Sequence, residues 1–150
     1  MKRNKRDVYK DYSTAIRCIK QGIPVKRETN KDGSLSTIPI IGCPDLPESE
    51  VLSLCKSWLK SRGIYCDRLN NGKGVFMGAD NYGTYGISGA GDIIGLLPNG
   101  IHFEIECKAG CGGKLSKEQQ ARHRSIVKNN GLYYVVHGIP ELELLMGDKV

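Results

Sequence analysis

The sequence predicts an α/β domain, a mixed central sheet flanked by helices, carried behind an N-terminal extension. Three observations point there. Between residues 46 and 62 apolar side chains recur at helical spacing, and residues 101–108 alternate strictly between apolar and ionic. After Gly42 such patterns succeed one another as helix, strand, glycine-rich loop, two strands, helix, strand, helix. At 150 residues, with 39% hydrophobic and 25% charged side chains, the chain has the make-up of one globular domain that buries roughly 70% of its unfolded surface.

The division falls at residues 42–47, separating a basic extension, 1–45, from a domain, 46–150. In the extension, residues 8–19 are amphipathic and predict a helix, and residues 23–40 alternate around Lys31-Asp32-Gly33 as a hairpin would. The domain's first helix is expected to open at Asp45-Leu46-Pro47-Glu48, with Asp45 capping, Glu48 reaching back to it, and Gly63 stopping the helix. Val51, Leu54, Cys55, Trp58 and Leu59 make its core stripe.

Residues 64–69 read as a short strand and Asn70-Asn71-Gly72-Lys73-Gly74 as a turn. Seven glycines between 72 and 91 erase any periodicity, so this segment is expected to be a loop with at most a short strand at 75–77. Gly89-Ala90-Gly91 with Gly95 is not a dinucleotide fingerprint, because β-type sequence follows it instead of a helix N-terminus. Further on, Ser116-Lys117-Glu118-Gln119 is a capping box for a helix reaching Asn129. Residues 132–136 read as a buried strand and 141–146 as a short helix, with His137 structural.

The chemistry lies on residues 92–97 and 101–108, two strands joined by the three-residue loop Pro98-Asn99-Gly100. Ile101, Phe103, Ile105 and Cys107 point one way; His102, Glu104, Glu106 and Lys108 point the other. If Leu97 pairs with Ile101, Asp92 stands directly across from Glu106, with Cβ atoms ~5 Å apart. A two-residue loop would shift the register and turn Asp92 to the wrong face. Two carboxylates that close repel and call for a cation. Mg²⁺ suits them, since it typically takes one or two protein carboxylates together with waters and substrate phosphate. Lys108, on the same side, would then lie where an ammonium readies water or stabilises charge on phosphorus. The competing reading is an ordinary exposed polar sheet face.

Charge is distributed in the same direction. Residues 1–31 carry ten of the 22 Lys and Arg against three acids, a local +7, leaving −1 for the remainder of a chain whose net charge is +6. Such an asymmetry favours a polyanionic partner, or else a solvated basic tail. The six cysteines are spread without a CxxC pair and read as reduced. Cys107 and Cys111 with His102 or His123 form a poor zinc set, because Cys107 falls on the apolar side of its strand. No membrane span or signal core is evident, so an intracellular, cytoplasmic protein is expected.

Gly86-x-x-Gly89-x-x-Asp92-Ile93-Ile94-Gly95, then Ile105-Glu106-Cys107-Lys108, then Leu115-Ser116-x-x-Gln119 resemble the virus-type replication-repair nuclease (VRR-NUC) domain of the PD-(D/E)XK nuclease superfamily. Glu48-Ser49-Glu50-Val51 and Arg68-Leu69-Asn70-Asn71-Gly72 resemble the helix and strand that open that domain, so the likeness spans about residues 46–146. It implies a restriction-endonuclease-like core and a DNA endonuclease dependent on Mg²⁺ or Mn²⁺. Asp92, Glu106 and the main-chain carbonyl of Cys107 would hold the metal, Glu48 would assist through a water, and Lys108 would orient or activate the nucleophile. Stand-alone domains of this size are similar to Holliday junction resolvases, which implies a homodimer acting on branched DNA in a bacterial or phage-infected cell. Two features depart from the pattern: Gly91 replaces the usual small polar residue before Asp92, and some 45 N-terminal residues lie outside it.

Two residues carry double readings. Glu48 is either a capping-box carboxylate or a site residue, and Gln119 either caps its helix or joins the active site, a first-turn side chain being expected to serve only one role. Arg68, Lys73 and Lys114 are the candidates for DNA contact. The rival functions are a DNA-binding module that no longer cleaves and a restriction-type nuclease that reads a short sequence.

Overall fold

The computed structural model describes residues 5–23, 27, 29–69, 72–75, 82–110 and 112–150, and for 5–12, 72–75 and 82–85 the main chain alone. Ten elements follow in order: helix α1 (Lys5–Lys20), helix α2 (Glu48–Ser61), strands β1 (Tyr65–Arg68), β2 (Gly72–Val75), β3 (Tyr82–Tyr85), β4 (Ile93–Leu96) and β5 (His102–Cys107), helix α3 (Lys117–Lys128), strand β6 (Leu132–Val136) and helix α4 (Ile139–Met146). The main sheet is mixed, with order β1-β4-β5-β6; its first two pairings are antiparallel and β5–β6 is parallel. The expected α/β class and the mixed sheet flanked by helices are therefore present.

The β4–β5 register is the one that a three-residue loop requires. Ile93 faces Ile105 and Leu96 faces His102, Leu97 N–H donates to Ile101 O at 2.9 Å, and Gly100 takes φ +84°, a left-handed turn conformation that glycine adopts without a Cβ penalty. The alternation of β5 then sends its odd residues into one layer and its even residues into another. Phe103, Ile105 and Cys107 pack with Ile93, Tyr134 and Val136 against the buried stripe of α2 (Val51, Cys55, Trp58, Leu59) and against Leu142, Leu145 and Met146 of α4. On the opposite face, Tyr133 and Val135 meet Ile126 of α3. This face is not the exposed polar one that alternation alone allows, because Glu104, Glu106 and Lys108 lie beneath that layer at 0%, 3% and 9% exposure.

Several expectations are corrected. Helix α2 starts at Glu48 with Pro47 at its N-cap and no side-chain cap, so the Asp45–Glu48 capping box does not form. Pro44 and Leu46 close a turn of their own that holds Asp45 outside the helix, and proline offers no side-chain acceptor. Leu54 is 43% exposed and not part of the core stripe. At ~100° per residue it sits ~85° from the centre of the arc set by Val51, Cys55, Trp58 and Leu59. The end of α2 follows expectation: Gly63 at φ +68° lets Ile64 N–H reach Leu59 O and its own N–H reach Lys60 O, the paired bonds of a Schellman ending.

The glycine-rich segment is also more ordered than a loop. Gly72–Val75, expected in part as a turn, pairs with Tyr82–Tyr85 as a separate two-stranded sheet. The expected short strand at 75–77 lies largely outside the described residues. In the extension, the predicted hairpin over 23–40 shows, among the described residues, one bridge, Thr29 with Leu35, over a turn in which Asn30 N–H donates to Ser34 O at 2.8 Å; residues 24–26 and 28 lie outside the described residues.

The extension shares the domain's core. Ala15, Cys18 and Ile40 are buried in the same cluster as the α2 and β5 side chains. Arg27 reaches across to donate to Val135 O at 2.6 Å and to pair with Glu141, which is fully buried. The same Glu141 carboxylate accepts from Ile40 N at 3.2 Å, from His137 N at 2.9 Å and lies 2.7 Å from His137 Nδ1. His137 is thus structural, as its place at the strand end predicts.

Candidate functional site

On the α3 side of the sheet, carboxylates, an ammonium, an amide and a guanidinium converge. Asp92 precedes β4 and lies opposite Glu106 by continuation of the β4–β5 register; its Oδ2 accepts the Cys107 N–H at 2.8 Å. Glu106 Oε1 accepts from Lys108 Nζ at 2.9 Å and from Gln119 Nε2 at 2.6 Å. Asp92, Glu106, Cys107, Lys108 and Gln119, five of the residues expected in the site, therefore stand together.

Gln119 caps its helix and reaches Glu106 at the same time. Its Oε1 accepts the Ser116 N–H at 2.8 Å and the Ser116 hydroxyl accepts the Gln119 N–H, completing the capping box, while Nε2 turns to Glu106. A carboxamide carries an acceptor at one end and donors at the other, so the expected exclusivity does not hold.

Glu48, freed from capping, lies exposed on the first turn of α2, and its charge is felt at Glu106. Arg68 is exposed at the end of β1, opposite Ile93, and helps hold down the proton affinity of Asp92. Lys114 is exposed in the segment leading to α3, whereas the Lys73 side chain lies outside the described residues.

Sequence reading missed a second constellation beside the first. Glu104, fully buried, takes a fork from Arg122, with Nη2 at 2.6 Å and Nε at 3.2 Å from Oε1, and also accepts the Gly91 N–H at 3.0 Å and lies 3.0 Å from His102 Nε2. Tyr133 closes the roof, its hydroxyl 3.3 Å from Gly89 O. Alternation placed Glu104 in the same row as Glu106, but no local pattern in the sequence ties Arg122 to that row. Gly91, the departure from the family pattern, has a steric cause: a Cβ there would lie 2.9 Å from Ile105 O.

The electrostatics follow from burial. Desolvation, with the charge of Asp92 next, pushes the Glu106 carboxyl up to about 7, against the opposing pull of Lys108. Burial also raises Asp92, although Cys107 N–H and Lys108 oppose it. At Glu104 burial pushes upward too, yet the Arg122 fork and the Gly91 and His102 bonds win and hold it below the usual range. Burial, then the charges of Glu106, Glu104 and Asp92, raises the Tyr133 hydroxyl well above its ordinary value.

A pH dependence of stability follows. The folded chain holds a proton on Glu106 more tightly than the unfolded chain does, so its contribution is fully present below about pH 4.5 and is lost as pH rises through about 7. Asp92 acts in the same sense, whereas Glu104 acts oppositely and at lower pH. Urea unfolding of metal-free protein is expected to show a loss on the order of 3 kcal/mol between pH 5 and pH 8, and Glu106→Gln to remove most of it.

The donor set fits a hard divalent cation better than a soft one. The Cys107 thiol turns to the other side of the sheet, where Cys55 and burial raise its proton affinity, and among the described residues no three His, Cys, Asp or Glu side chains gather so as to hold a metal ion of any kind, so a cation here would rest on two side chains, main chain and water. Two carboxylates with a main-chain carbonyl are an oxygen set of the kind Mg²⁺ accepts, with water completing its octahedron. No family model, curated protein or solved structure matches the chain.

Proposed function

We propose that this chain is a structure-specific DNA endonuclease of the VRR-NUC type, with a PD-(D/E)XK core, hydrolysing phosphodiester bonds at branched DNA as a homodimer and depending on Mg²⁺ or Mn²⁺. The observation that carries the reading is the placement of Asp92 across from Glu106 on a buried sheet face, with Lys108 Nζ 2.9 Å from Glu106 Oε1. Bound there, a divalent cation would polarise the scissile phosphate and lower the pKa of a water. Asp92, Glu106 and the Cys107 carbonyl are the groups that would hold it, with Glu48 assisting from the rim through a water.

The protein's own groups supply the rest. Lys108, an ammonium 2.9 Å from the Glu106 carboxylate, orients the attacking water and offsets the negative charge that develops on it and on phosphorus. Gln119 fixes the Glu106 carboxylate in one orientation and ties it to the start of α3. Arg68, Lys114 and Lys73 with the basic extension provide phosphate contacts, which position DNA without reading its sequence. Burial of Glu106 and Lys108, at 3% and 9% exposure, strengthens the interaction between them. Among the described residues no helix is long and apolar enough to cross a membrane; a cytoplasmic location is part of this proposal because the DNA it would act on lies there.

The test is a comparison of labelled four-way junctions, flaps and plain duplex incubated with the protein in Mg²⁺ or Mn²⁺. Cleavage of a branched substrate at least about tenfold faster than duplex is expected, a difference of about 1.4 kcal/mol in barrier. Binding without cleavage in either metal would leave a DNA-binding module, and a fixed cut site in random duplex would make it a restriction-type enzyme.

A further inference from the structure

The β4–β5 ladder breaks at its last pair, and the break has a specific cause. Leu97 N–H donates to Ile101 O, so in this antiparallel register the hydrogen-bonded pairs recur at every second position: Gly95 with Phe103, Ile93 with Ile105, and next Gly91 with Cys107. At that third step the ladder would send Gly91 N–H to Cys107 O and Cys107 N–H to Gly91 O. Both N–H groups go elsewhere. Gly91 N–H goes to Glu104 Oε2 at 3.0 Å and Cys107 N–H to Asp92 Oδ2 at 2.8 Å.

Gly91 stays against β5, since a Cβ on it would lie 2.9–3.0 Å from the Ile105 main chain. Nor does β6 take up the Cys107 carbonyl. Lys108 N–H donates to Val136 O, which assigns the main-chain groups of the even β5 residues to β6 and those of the odd residues to β4. The Cys107 carbonyl is directed at β4, where the N–H that would have met it is held by Glu104.

We propose that Glu104, fixed by the Arg122 fork, is a positioning residue that captures the Gly91 amide, opens the ladder at this one step, and so leaves the Cys107 main-chain carbonyl available to the cation shared by Asp92 and Glu106. The proposal rests on the metal-dependent reading above. It also explains the burial of Glu104 and the bidentate pairing. A carboxylate that must accept three different donors in one orientation needs a planar partner, and guanidinium supplies one where an ammonium does not. His102, 3.0 Å from the same Oε1, completes the setting.

The experiment uses the full chain. In metal-free protein, through-hydrogen-bond NMR coupling from the Gly91 amide nitrogen is expected to the Glu104 carboxylate carbon; coupling to the Cys107 carbonyl carbon instead would overturn the proposal. Calorimetric titration with Mn²⁺ alone is then compared for wild type, Glu104→Ala and Glu104→Gln. Glu104→Ala is expected to bind at least about tenfold more weakly, which is about 1.4 kcal/mol, with cleavage recovering at high Mn²⁺. General structural damage would not be rescued in this way. Glu104→Gln fills the same volume but has one acceptor oxygen, which the Arg122 guanidinium claims, so its NH2 meets the Gly91 N–H donor; it is expected to lose Mn²⁺ affinity as the alanine variant does, which guards against a failure of the alanine variant to fold. Wild type that binds Mn²⁺ and cleaves, beside a Glu104→Ala variant of unchanged affinity, sinks this proposal and leaves the nuclease reading standing. Wild type that neither binds nor cleaves sinks the nuclease reading, and this proposal with it.

Discussion

Asp92→Asn is expected to reduce cleavage by at least about a hundredfold while leaving the fold as stable as before or more so. The amide matches the carboxylate in size, and its oxygen can still accept the Cys107 N–H that now meets Oδ2 at 2.8 Å. What it removes is one of the two charges that raise the proton affinity of Glu106, so the carboxyl now held near 7 is expected to fall toward the ordinary carboxylate range. Lys108→Ala reduces cleavage by a comparable factor, about 10²–10⁴, but with the opposite effect on stability. It withdraws the Nζ that lies 2.9 Å from Glu106 and leaves a buried carboxylate with the Gln119 amide alone. Single-turnover cleavage of a junction and thermal melts, run in parallel, check both. A variant pair that loses no activity would end the proposed mechanism, whatever the melts show.

The largest stability effect is expected far from this site. Arg27→Ala removes the guanidinium that pairs with Glu141 and donates to the Val135 and Ile38 carbonyls, and leaves a carboxylate at 0% exposure without its cation. Breaking one side of a buried pair costs about 3–5 kcal/mol, a large share of the roughly 5–15 kcal/mol that holds a domain together. A fall in the melting temperature of roughly 10 °C is expected, at 2–4 °C per kcal/mol for a chain of this size. Arg17→Ala, an exposed change on the last turn of α1, serves as the control and is expected to stay within about 0.5 kcal/mol of wild type.

The parts of the structure that were legible in the sequence share a local cause. Strict alternation and one glycine-bearing loop determined the β4–β5 register, and with it the meeting of Asp92 and Glu106. The Ser116–Gln119 box was visible because its partners are three residues apart. The rest depends on distance or on silence. Strands β2 and β3 escaped notice because glycines occupy the positions where alternating side chains would announce a strand. Arg27 and Glu141 are 114 residues apart, and nothing in either neighbourhood names the other. Arg122 and Glu104 could be assigned only after α3 was seen to lie over the even-numbered row of β5. The absent cap at Asp45 and the exposed Leu54 show how a turn closed by Pro44, or a small rotation of a helix, outweighs a motif that the letters seem to spell.

The two-ended use of Gln119 couples events that are otherwise unrelated. Whatever competes for Glu106 Oε1, whether a proton or a cation, draws on the same amide that secures the opening turn of α3. By reciprocity, if occupancy at that oxygen shifts the stability of the turn, a contact that steadies the turn shifts affinity at the carboxylate by the same free energy. Amide exchange at Ser116, Gln119 and Gln120 is therefore expected to be a remote gauge of occupancy at Glu106, readable without following a reaction.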